Sequence, residues 1–530
     1  MKSSIFKYIF VIFVIVLIIV TCVKFLDSEK ETDEKNLDQT STTTNIQTDL
    51  RLAVAEFDTM NPILSNNKNV QEISKIIYEP LVTLDSELRA KNCLAKEIAQ
   101  KDDTNYVIKL RDNVTWQDGT KFTAKDVKFT IDTIKNLEAR CRYKDNLDAV
   151  GGLEIVDDYT ISISLDRRVP FFEYNLTFPI MCQKYFENED FASSGKSGMA
   201  IGTGSFSIEA IDNNIIKLVR NESYWNKDKL PMVKEIYINL YPSIGAVYDD
   251  FKNGNLDVLN VSTIDVDKYI GTLGHTKTEY KTRYYDFVSF NTQSGIFTDP
   301  AVRKALSLVI DKTAMVASAL GQGYAPSNFS LDMGSFLYSD MLNVQPNTDE
   351  AKQILLNAGW EYKNNEWTKN ENGKVIPLTF NIIVNNNNQL RVSVANNLKE
   401  QYANFGIVIN VQEVDSNRYI NILNNKAYEV VIAGLECAYN PSVETFFGAD
   451  NLANYENAEM QNLLLEVANT ADENTLKDKY KRIYEIYLEE APYFGLFRET
   501  DYLVYNQSLV GSLKPNVFNI FQNIEKWYRR

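Results

Sequence analysis

Apolar residues recur at strand and helix periods along most of the chain. Residues 106–111 alternate between polar and apolar side chains, which is the pattern of a half-buried strand. A helix is predicted after Thr123, a good N-cap residue. Its apolar stripe consists of Val127, Ile131 and Ile134, which are spaced by four and three residues. Strand and helix patterns continue to alternate further along, so the sequence predicts an α/β fold.

Two further helices have clear start and stop signals. Asp299 is a capping residue and Pro300 suits the first helical position, so a helix is predicted to begin there. Thr348 is predicted to open another helix, which stops at Gly359 because glycine favours the left-handed conformation that follows a helix.

The clearest α/β unit lies in the last third of the chain. A helix is predicted over residues 389–402, a strand over 407–414 and a short helix over 416–424. Residues 428–433 form a near-continuous apolar run, the mark of a strand buried on both faces. Open α/β sheets bind ligands beyond the carboxyl ends of their strands. The loop predicted at 434–441, which would leave that end, is therefore a candidate binding site.

The N-terminus has the features of an export signal. Residues 1–23 combine a positively charged start with an apolar run, as in a secretory signal peptide or an uncleaved membrane anchor. The run ends at Cys22 and resembles the lipobox of bacterial lipoproteins, in which the cysteine is lipidated, although Thr21 stands where that box has Gly, Ala or Ser. Residues 24–49 contain few aliphatic side chains and are predicted to form a flexible tether. Both alternatives place the rest of the chain outside the membrane.

Composition narrows the function classes. The 530 residues include 55 Lys and Arg against 71 Asp and Glu, a net charge of −16 that argues against nucleic-acid binding. The single histidine, His275, is predicted in a surface turn, and a Gly-x-Ser-x-Gly elbow is lacking, so neither a hydrolase nor a metal site is expected. Without a Walker A or dinucleotide motif, no cofactor is expected. Four other cysteines lack metal-site spacing and are either isolated thiols or disulfide partners: Cys93, Cys141, Cys182 and Cys437.

Short motifs along the chain carry a family resemblance. Residues 78–82 (YEPLV), 110–127 (LRDNVTWQDGTKFTAKDV), 202–206 (GTGSF), 221–225 (NESYW) and 253–257 (NGNLD) resemble the family 5 bacterial extracellular solute-binding proteins. These proteins are the oligopeptide, dipeptide and nickel receptors of ABC importers. Further blocks follow in family order at 290–291, 302–306, 310–312 and 358–360.

The resemblance implies a two-lobed fold like that of the periplasmic binding proteins (type II, large cluster), with the ligand cleft between the lobes. Lobe I would comprise residues 50–290, including an extra subdomain at about 91–200. Lobe II would comprise residues 291–492, and residues 493–530 would return to lobe I. The hinge would consist of two crossings, near residues 287–291 and 492–497.

The same resemblance implies a function and its partners. The protein would be a monomeric, membrane-tethered receptor that captures oligopeptides by lobe closure and delivers them to the permease subunits of an ABC importer. Two alternatives stay open: a signalling receptor that senses peptides, and a receptor for a non-peptide solute such as an oligosaccharide or a metal chelate.

The resemblance also implies where the ligand binds, and it includes one departure. In oligopeptide receptors of the family, an aspartate on the loop after the buried strand pairs with the α-amino group of the peptide. Here Ala438 occupies that place, and Leu435 replaces a tryptophan. Glu436 could substitute as the counter-charge or lie at the solvated rim; otherwise the ligand lacks a free amine there or its terminus lies elsewhere. The candidate ligand-binding residues are Asn66, Asn67, Lys68, Gly434, Leu435, Glu436, Cys437, Ala438, Tyr439 and Asn440.

Overall fold

The computed structural model describes residues 47–137, 141–262 and 274–530. The signal or anchor at 1–23, its Cys22 and nearly all of the tether at 24–49 lie outside these residues. In the described ranges no helix is long and apolar enough to cross a bilayer.

The helices and strands are numbered in chain order. The helices are α1 Lys68–Ser74, α2 Ala124–Asn136, α3 Ile244–Lys252, α4 Pro300–Val309, α5 Lys312–Met315, α6 Thr348–Asn357, α7 Gln389–Asn404, α8 Ser416–Asn424, α9 Glu444–Phe447, α10 Ala458–Val467 and α11 Glu473–Glu490. The strands are β1 Asp49–Ala55, β2 Val82–Leu84, β3 Ala90–Asn92, β4 Ala95–Gln100, β5 Asn105–Leu110, β6 Val150–Asp157, β7 Thr160–Leu165, β8 Phe206–Asp212, β9 Ile215–Arg220, β10 Glu235–Tyr241, β11 Val258–Val261, β12 His275–Phe290, β13 Tyr324–Pro326, β14 Trp360–Lys363, β15 Glu366–Glu371, β16 Lys374–Pro377, β17 Thr379–Asn385, β18 Val408–Val414, β19 Val430–Glu436, β20 Tyr493–Asn506, β21 Leu509–Val510 and β22 Tyr528–Arg529.

The largest sheet is built around two long strands, β12 and β20. Its strand order is β11-β20-β12-β19-β17-β18, and β13 also pairs with β20. β17 pairs in parallel with both β18 and β19, as the connecting helices α7 and α8 require. β19 pairs with the second half of β12, so the carboxyl end of β19 lies beside the middle of the long strand.

Smaller sheets complete the N-terminal half. β1 pairs in parallel with β10 in a sheet of order β1-β10-β9-β8. A separate sheet of order β4-β5-β7-β6 contacts α2 and falls within the subdomain predicted at about 91–200.

The hydrophobic core is divided into clusters. One cluster joins the N-terminal half to residues near the C-terminus, such as Leu503 and Trp527. A second surrounds β17, α7 and the paired ends of β12 and β20. A third packs Leu88, Phe171 and Tyr174 against residues from the other half of the chain. Residues near the C-terminus therefore pack into the same cluster as the N-terminal half.

Several of the sequence motifs meet at the carboxylate of Glu79, which is 6% exposed. The Tyr224 hydroxyl donates to Oε1 at 2.7 Å. The Trp225 indole N–H and the Thr203 hydroxyl both donate to Oε2, at 2.8 and 2.9 Å. Burial raises the pKa of this carboxyl, although the donors oppose the shift. Motifs that are far apart in sequence therefore form one buried hydrogen-bond network.

The glycines of the 202–206 motif permit close backbone contact. A Cβ atom on Gly202 would lie 1.9 Å from the carbonyl oxygen of Ile77, and one on Gly204 would lie 2.5 Å from that of Ile76. These glycines are required because the two backbones approach too closely for a side chain.

The structure confirms the predicted elements. Thr123 forms a capping box at α2, and Asp299 caps α4 with Pro300 at its start. Thr348 is the first residue of α6, but the capping side chain is that of Asn347. The strand predicted at 106–111 is β5, and the α/β unit of the last third appears as α7, β18, α8 and β19.

Two details of the prediction are wrong. The site loop begins later than predicted, because residues 434–436 continue β19 by pairing with β12. His275 does not lie in a surface turn: it begins β12, is 4% exposed and stacks on the ring of Phe251 at 4.4 Å between centroids. Of the two alternatives for the cysteines, the structure has isolated thiols rather than disulfides. The four free thiols are all buried: Cys93, Cys141, Cys182 and Cys437.

Candidate functional site

A polar cavity of about 600 Å³ lies beyond the carboxyl end of β19. Its lining combines Gln71 on α1, parts of segments 142–146 and 174–177, and most of segment 436–440. Enclosed ligand sites have volumes of roughly 300–1,000 Å³, so the cavity can hold a small organic ligand.

Hydrogen bonds fix the wall that the N-terminal half contributes. Asn146 and Asn175 each donate a side-chain amide N–H to the backbone carbonyl of the other, at 3.0 Å in both directions. The Tyr143 hydroxyl donates to Oε1 of Gln71 at 2.8 Å. The two loops and the helix α1 are therefore held to one another around the cavity.

An irregularity in β12 supplies the facing cation. The register between β12 and β20 shifts between Lys281 and Tyr285, and such bulges redirect side chains. Arg283 lies within this irregularity and pairs with the carboxylate of Glu436. Its guanidinium also lies over the Tyr439 ring, 4.4 Å from the centroid.

Four of the predicted residues on the loop after β19 line the cavity. Glu436 is about half exposed and is already paired with Arg283. Ala438 is exposed and offers no polar group, and Asn440 accepts a hydrogen bond from the backbone N–H of Ser442. The Tyr439 ring packs edge-on against Phe518, which also borders the cavity. Glu436, Ala438, Tyr439 and Asn440 are thus brought together in the structure.

The other three predicted loop residues support the site from behind. A Cβ atom on Gly434 would lie 2.1 Å from a guanidinium nitrogen of Arg391 and 2.6 Å from Oδ1 of Asp286, so a larger residue would require this ion pair to shift. Leu435 packs against the third core cluster. Cys437 is buried, and its backbone N–H donates to the carbonyl of Arg283 at 2.9 Å.

A fully buried arginine fixes this loop. Arg498 is 0% exposed and donates to the carbonyl oxygens of Thr282 at 3.0 Å and Ser330 at 2.6 Å. Both of its terminal nitrogens lie 3.8 Å from Sγ of Cys437. Its guanidinium also lies 4.9 Å from the ring centroid of Tyr285. One side chain therefore ties β12 to the cavity loop.

The predicted residues near α1 do not line this cavity. The side chain of Asn67 caps α1 by accepting two backbone N–H groups. Lys68 pairs with Asp501 at 2.6 Å. Asn66 is exposed, and its backbone N–H donates to Asp58 at 2.8 Å. In the structure, Asn67 therefore caps a helix, and Lys68 forms an ion pair with a residue that is distant in the sequence.

The charge in the cavity has the opposite sign to that of the whole chain. Among the described residues that line it, three are cations and two are carboxylates: Lys75, Arg142, Arg283, Asp145 and Glu436. Lys75 is paired with Glu72 at 2.5 Å and Arg283 with Glu436. Arg142 is exposed and, within the described ranges, has no carboxylate partner. The cavity thus offers a cation to an anionic ligand group.

Sequence reasoning missed the cations. Lys75, Arg142 and Arg283 belong to none of the motif blocks, and each sits in a segment whose polar pattern resembles any solvated surface. The one feature of the sequence that could have indicated Arg283 is its position shortly before the predicted hinge segment at 287–291. The bulge that turns it towards the cavity depends on strand pairing, which the sequence does not reveal.

The described residues place no group of three His, Cys, Asp or Glu side chains where a metal ion could be held.

A family model matches most of the chain. The model for bacterial extracellular solute-binding proteins, family 5 (middle), matches residues 89–454. The oligopeptide-binding protein AppA of Bacillus subtilis (strain 168) is 24% identical over 503 residues, covering 90% of this chain and 90% of AppA.

Solved structures have the same fold. The unliganded open form of the periplasmic murein tripeptide-binding protein MppA has a TM-score of 0.75 at 20% identity, covering 91% of this chain and 97% of that one. NikZ from Campylobacter jejuni, in complex with Ni(L-His), has a TM-score of 0.57 at 24% identity, covering 91% and 100%. The chain therefore has the two-lobed fold of the periplasmic binding proteins.

Proposed function

The chain belongs to the family 5 bacterial extracellular solute-binding proteins, and we propose that it captures oligopeptides in the polar cavity for an ABC importer. The observation that carries this proposal is the convergence of segments 142–146, 174–177 and 436–440 on one polar cavity. A peptide needs many polar partners, and this lining supplies amide, hydroxyl and guanidinium groups.

The proposed capture depends on lobe closure. Lobe I would comprise residues 50–290 and 493–530, and lobe II would comprise residues 291–492, with the two crossings near 287–291 and 492–497 as the hinge. The cavity has walls from both proposed lobes, so a ligand there would favour the closed state over the open one. That difference in affinity is what shifts the population.

Native mass spectrometry of the chain from residue 48 onward tests the proposal. The protein would be measured as purified and again after mild denaturation has released its ligand. A spread of masses that resolve into short peptides supports the proposal. A single discrete non-peptide mass, such as a sugar or a metal chelate, contradicts it and favours a receptor for another solute.

We further propose that Arg142, a cation in the cavity lining, binds the C-terminal carboxylate of the peptide. Arg142→Gln should weaken the binding of tetra-alanine about fivefold, because an exposed ion pair contributes up to about 1 kcal/mol. Calorimetric titration would measure this, with tetra-alanine amide as the ligand that lacks the carboxylate.

The matched control is Lys144→Gln, which removes a cation from the same segment but not from the cavity lining. Lys144→Gln should leave the affinities for tetra-alanine and for tetra-alanine amide unchanged. Equal weakening of the acid and the amide by Arg142→Gln would contradict the assignment of Arg142 to the carboxylate.

Membrane tethering is a proposal that rests on the sequence alone. We propose that Cys22 carries a lipid or that residues 1–23 remain as an anchor. Metabolic labelling with a radioactive fatty acid distinguishes the two. Label that is lost in Cys22→Ser supports lipidation, and an unlabelled but membrane-bound chain supports the anchor.

A further inference from the structure

A second cavity, of about 580 Å³, lies next to the polar one, and its lining includes a carboxylate with which none of the described cations pairs. Tyr174 lines both cavities, so they are adjacent. The second cavity is bordered on one side by residues near β2 to β5 and on the other by Phe336 and the start of α11. Tyr174 therefore forms part of the wall that the two cavities share, and a ligand that spans both would pass this ring.

The carboxylate in question is that of Glu173. It lies in the short helical turn Phe172–Leu176, after Phe171, whose φ of 54° is in the left-handed region. Within the described ranges, no side chain donates a hydrogen bond to its carboxylate and no cation pairs with it. Burial raises the pKa of Glu173, and its own backbone N–H opposes the shift. Glu173 is half-buried, so a cation that approaches its carboxylate would offset part of its lost hydration.

The other charges of this cavity are already compensated. Arg89 pairs with Glu473 at 3.1 Å and with Glu87 at 2.9 Å. Lys91 lies 3.6 Å from Asp85. Glu173 is thus the charged group of the lining that lacks a counter-ion among the described residues.

Aromatic rings surround the space that this carboxylate borders. Tyr106, Phe171 and Tyr174 line the cavity and are buried, whereas the Phe336 ring in the lining already carries the Arg89 guanidinium, 4.9 Å from its centroid. The Tyr174 hydroxyl donates to the carbonyl of Leu88 at 2.9 Å, which fixes its ring between the two cavities. Aromatic faces attract cations, and together with a carboxylate they form a site suited to an ammonium group.

We propose that the aromatic cavity around Glu173 binds a primary ammonium group of the ligand. The inference rests on the proposed peptide function and adds an orientation. The amino end lies against Glu173, and the chain passes Tyr174 so that the carboxyl end reaches Arg142. Glu436 is not the ammonium partner, because Arg283 already neutralises it. This assignment explains how a peptide receptor can carry Ala438 beside the first cavity.

The test compares tetra-alanine, N-acetyl-tetra-alanine and N-acetyl-Lys-Ala-Ala-Ala by calorimetric titration of the chain from residue 48 onward. The wild type should prefer tetra-alanine over its acetylated form by about tenfold, as a charge-assisted pair beside aromatic rings provides. Glu173→Gln keeps the side-chain volume and should reduce this preference to about twofold or less. The acetylated lysine peptide shows whether a side-chain ammonium can replace the α-amino group: its recovery of affinity in the wild type alone also supports the site.

The matched control is Glu444→Gln, which makes the same change at a half-buried glutamate that lines neither cavity and should retain the preference. Loss of the preference in Glu444→Gln with retention in Glu173→Gln would overturn the proposal. Equal affinity of the wild type for both tetra-alanine forms would also overturn it, while leaving peptide capture intact. If the wild type binds none of the three peptides, the proposed function fails and this inference fails with it.

Discussion

Glu79→Ala should lower the free energy of unfolding by about 3–6 kcal/mol, because three donors, two of them buried and one half-buried, each lose their acceptor at a cost of roughly 1–3 kcal/mol. These donors are the hydroxyls of Thr203 and Tyr224 and the indole N–H of Trp225. Thr203 and Tyr224 are 1% and 7% exposed, so solvent cannot replace the lost acceptor without entering the core. Urea unfolding followed by circular dichroism would measure the change.

Glu79→Gln is the matched control, since it keeps the volume and one carbonyl acceptor. Its amide can accept from the Trp225 indole while its NH2 group donates to the Tyr224 hydroxyl, so the loss should be about 1 kcal/mol. If Glu79→Ala costs no more than Glu79→Gln, the network does not stabilise the fold as described.

The free energy of unfolding should also depend on pH differently in the wild type and in Glu79→Gln. Burial raises the pKa of Glu79 in the folded state above its unfolded value of 4.5. The folded state therefore binds more protons than the unfolded state between the two pKa values, and this contribution to stability falls as pH rises through that window. Glu79→Gln lacks the titrating group, so the stability gap between wild type and variant should narrow as pH rises above 4.5. A gap that widens over this range would contradict the direction of the shift.

The Glu79 network also shows what the sequence could predict. The motif blocks at 78–82, 202–206 and 221–225 were recognisable, and they indicated the family and the two-lobed fold. The sequence did not reveal that these blocks form one hydrogen-bond network, because the contacts between Glu79, Thr203 and Trp225 arise only when distant segments pack together. Local patterns identified α2, α4 and α7 for the opposite reason: caps and apolar spacing are properties of one continuous segment.

The site was predictable in the same partial way. The rule for carboxyl ends of parallel strands pointed to the loop after residue 433, and four of its residues do line the polar cavity. The strand continues to Glu436 because β12 pairs with it, which is a tertiary effect. Arg142 and Glu173 carried no recognisable signal, since the roles proposed for them rest on their lacking a counter-ion among the described residues.

Arg498→Met should reduce both stability and ligand affinity. Met fills much of the space of the arginine stem, but the carbonyls of Thr282 and Ser330 lose their charged donor. The desolvation cost of the buried guanidinium is relieved at the same time, so a net loss of about 2–4 kcal/mol in the free energy of unfolding is expected. Arg498→Lys should be little better, because an ammonium cannot span both carbonyls as the planar guanidinium does.

The affinity for tetra-alanine should fall about tenfold in Arg498→Met, a loss of roughly 1.4 kcal/mol. Arg498 contacts both the backbone of Thr282 and the Cys437 thiol. Without it, Arg283 and the cavity loop are no longer held in a fixed position relative to each other. Arg303→Met is the matched control. Arg303 is 3% exposed and also donates to backbone carbonyls, those of Glu490 at 2.9 Å and Phe297 at 2.6 Å, but it does not line the cavity. It should lose stability without losing affinity, whereas an equal loss of affinity in both variants would show that binding merely follows global stability.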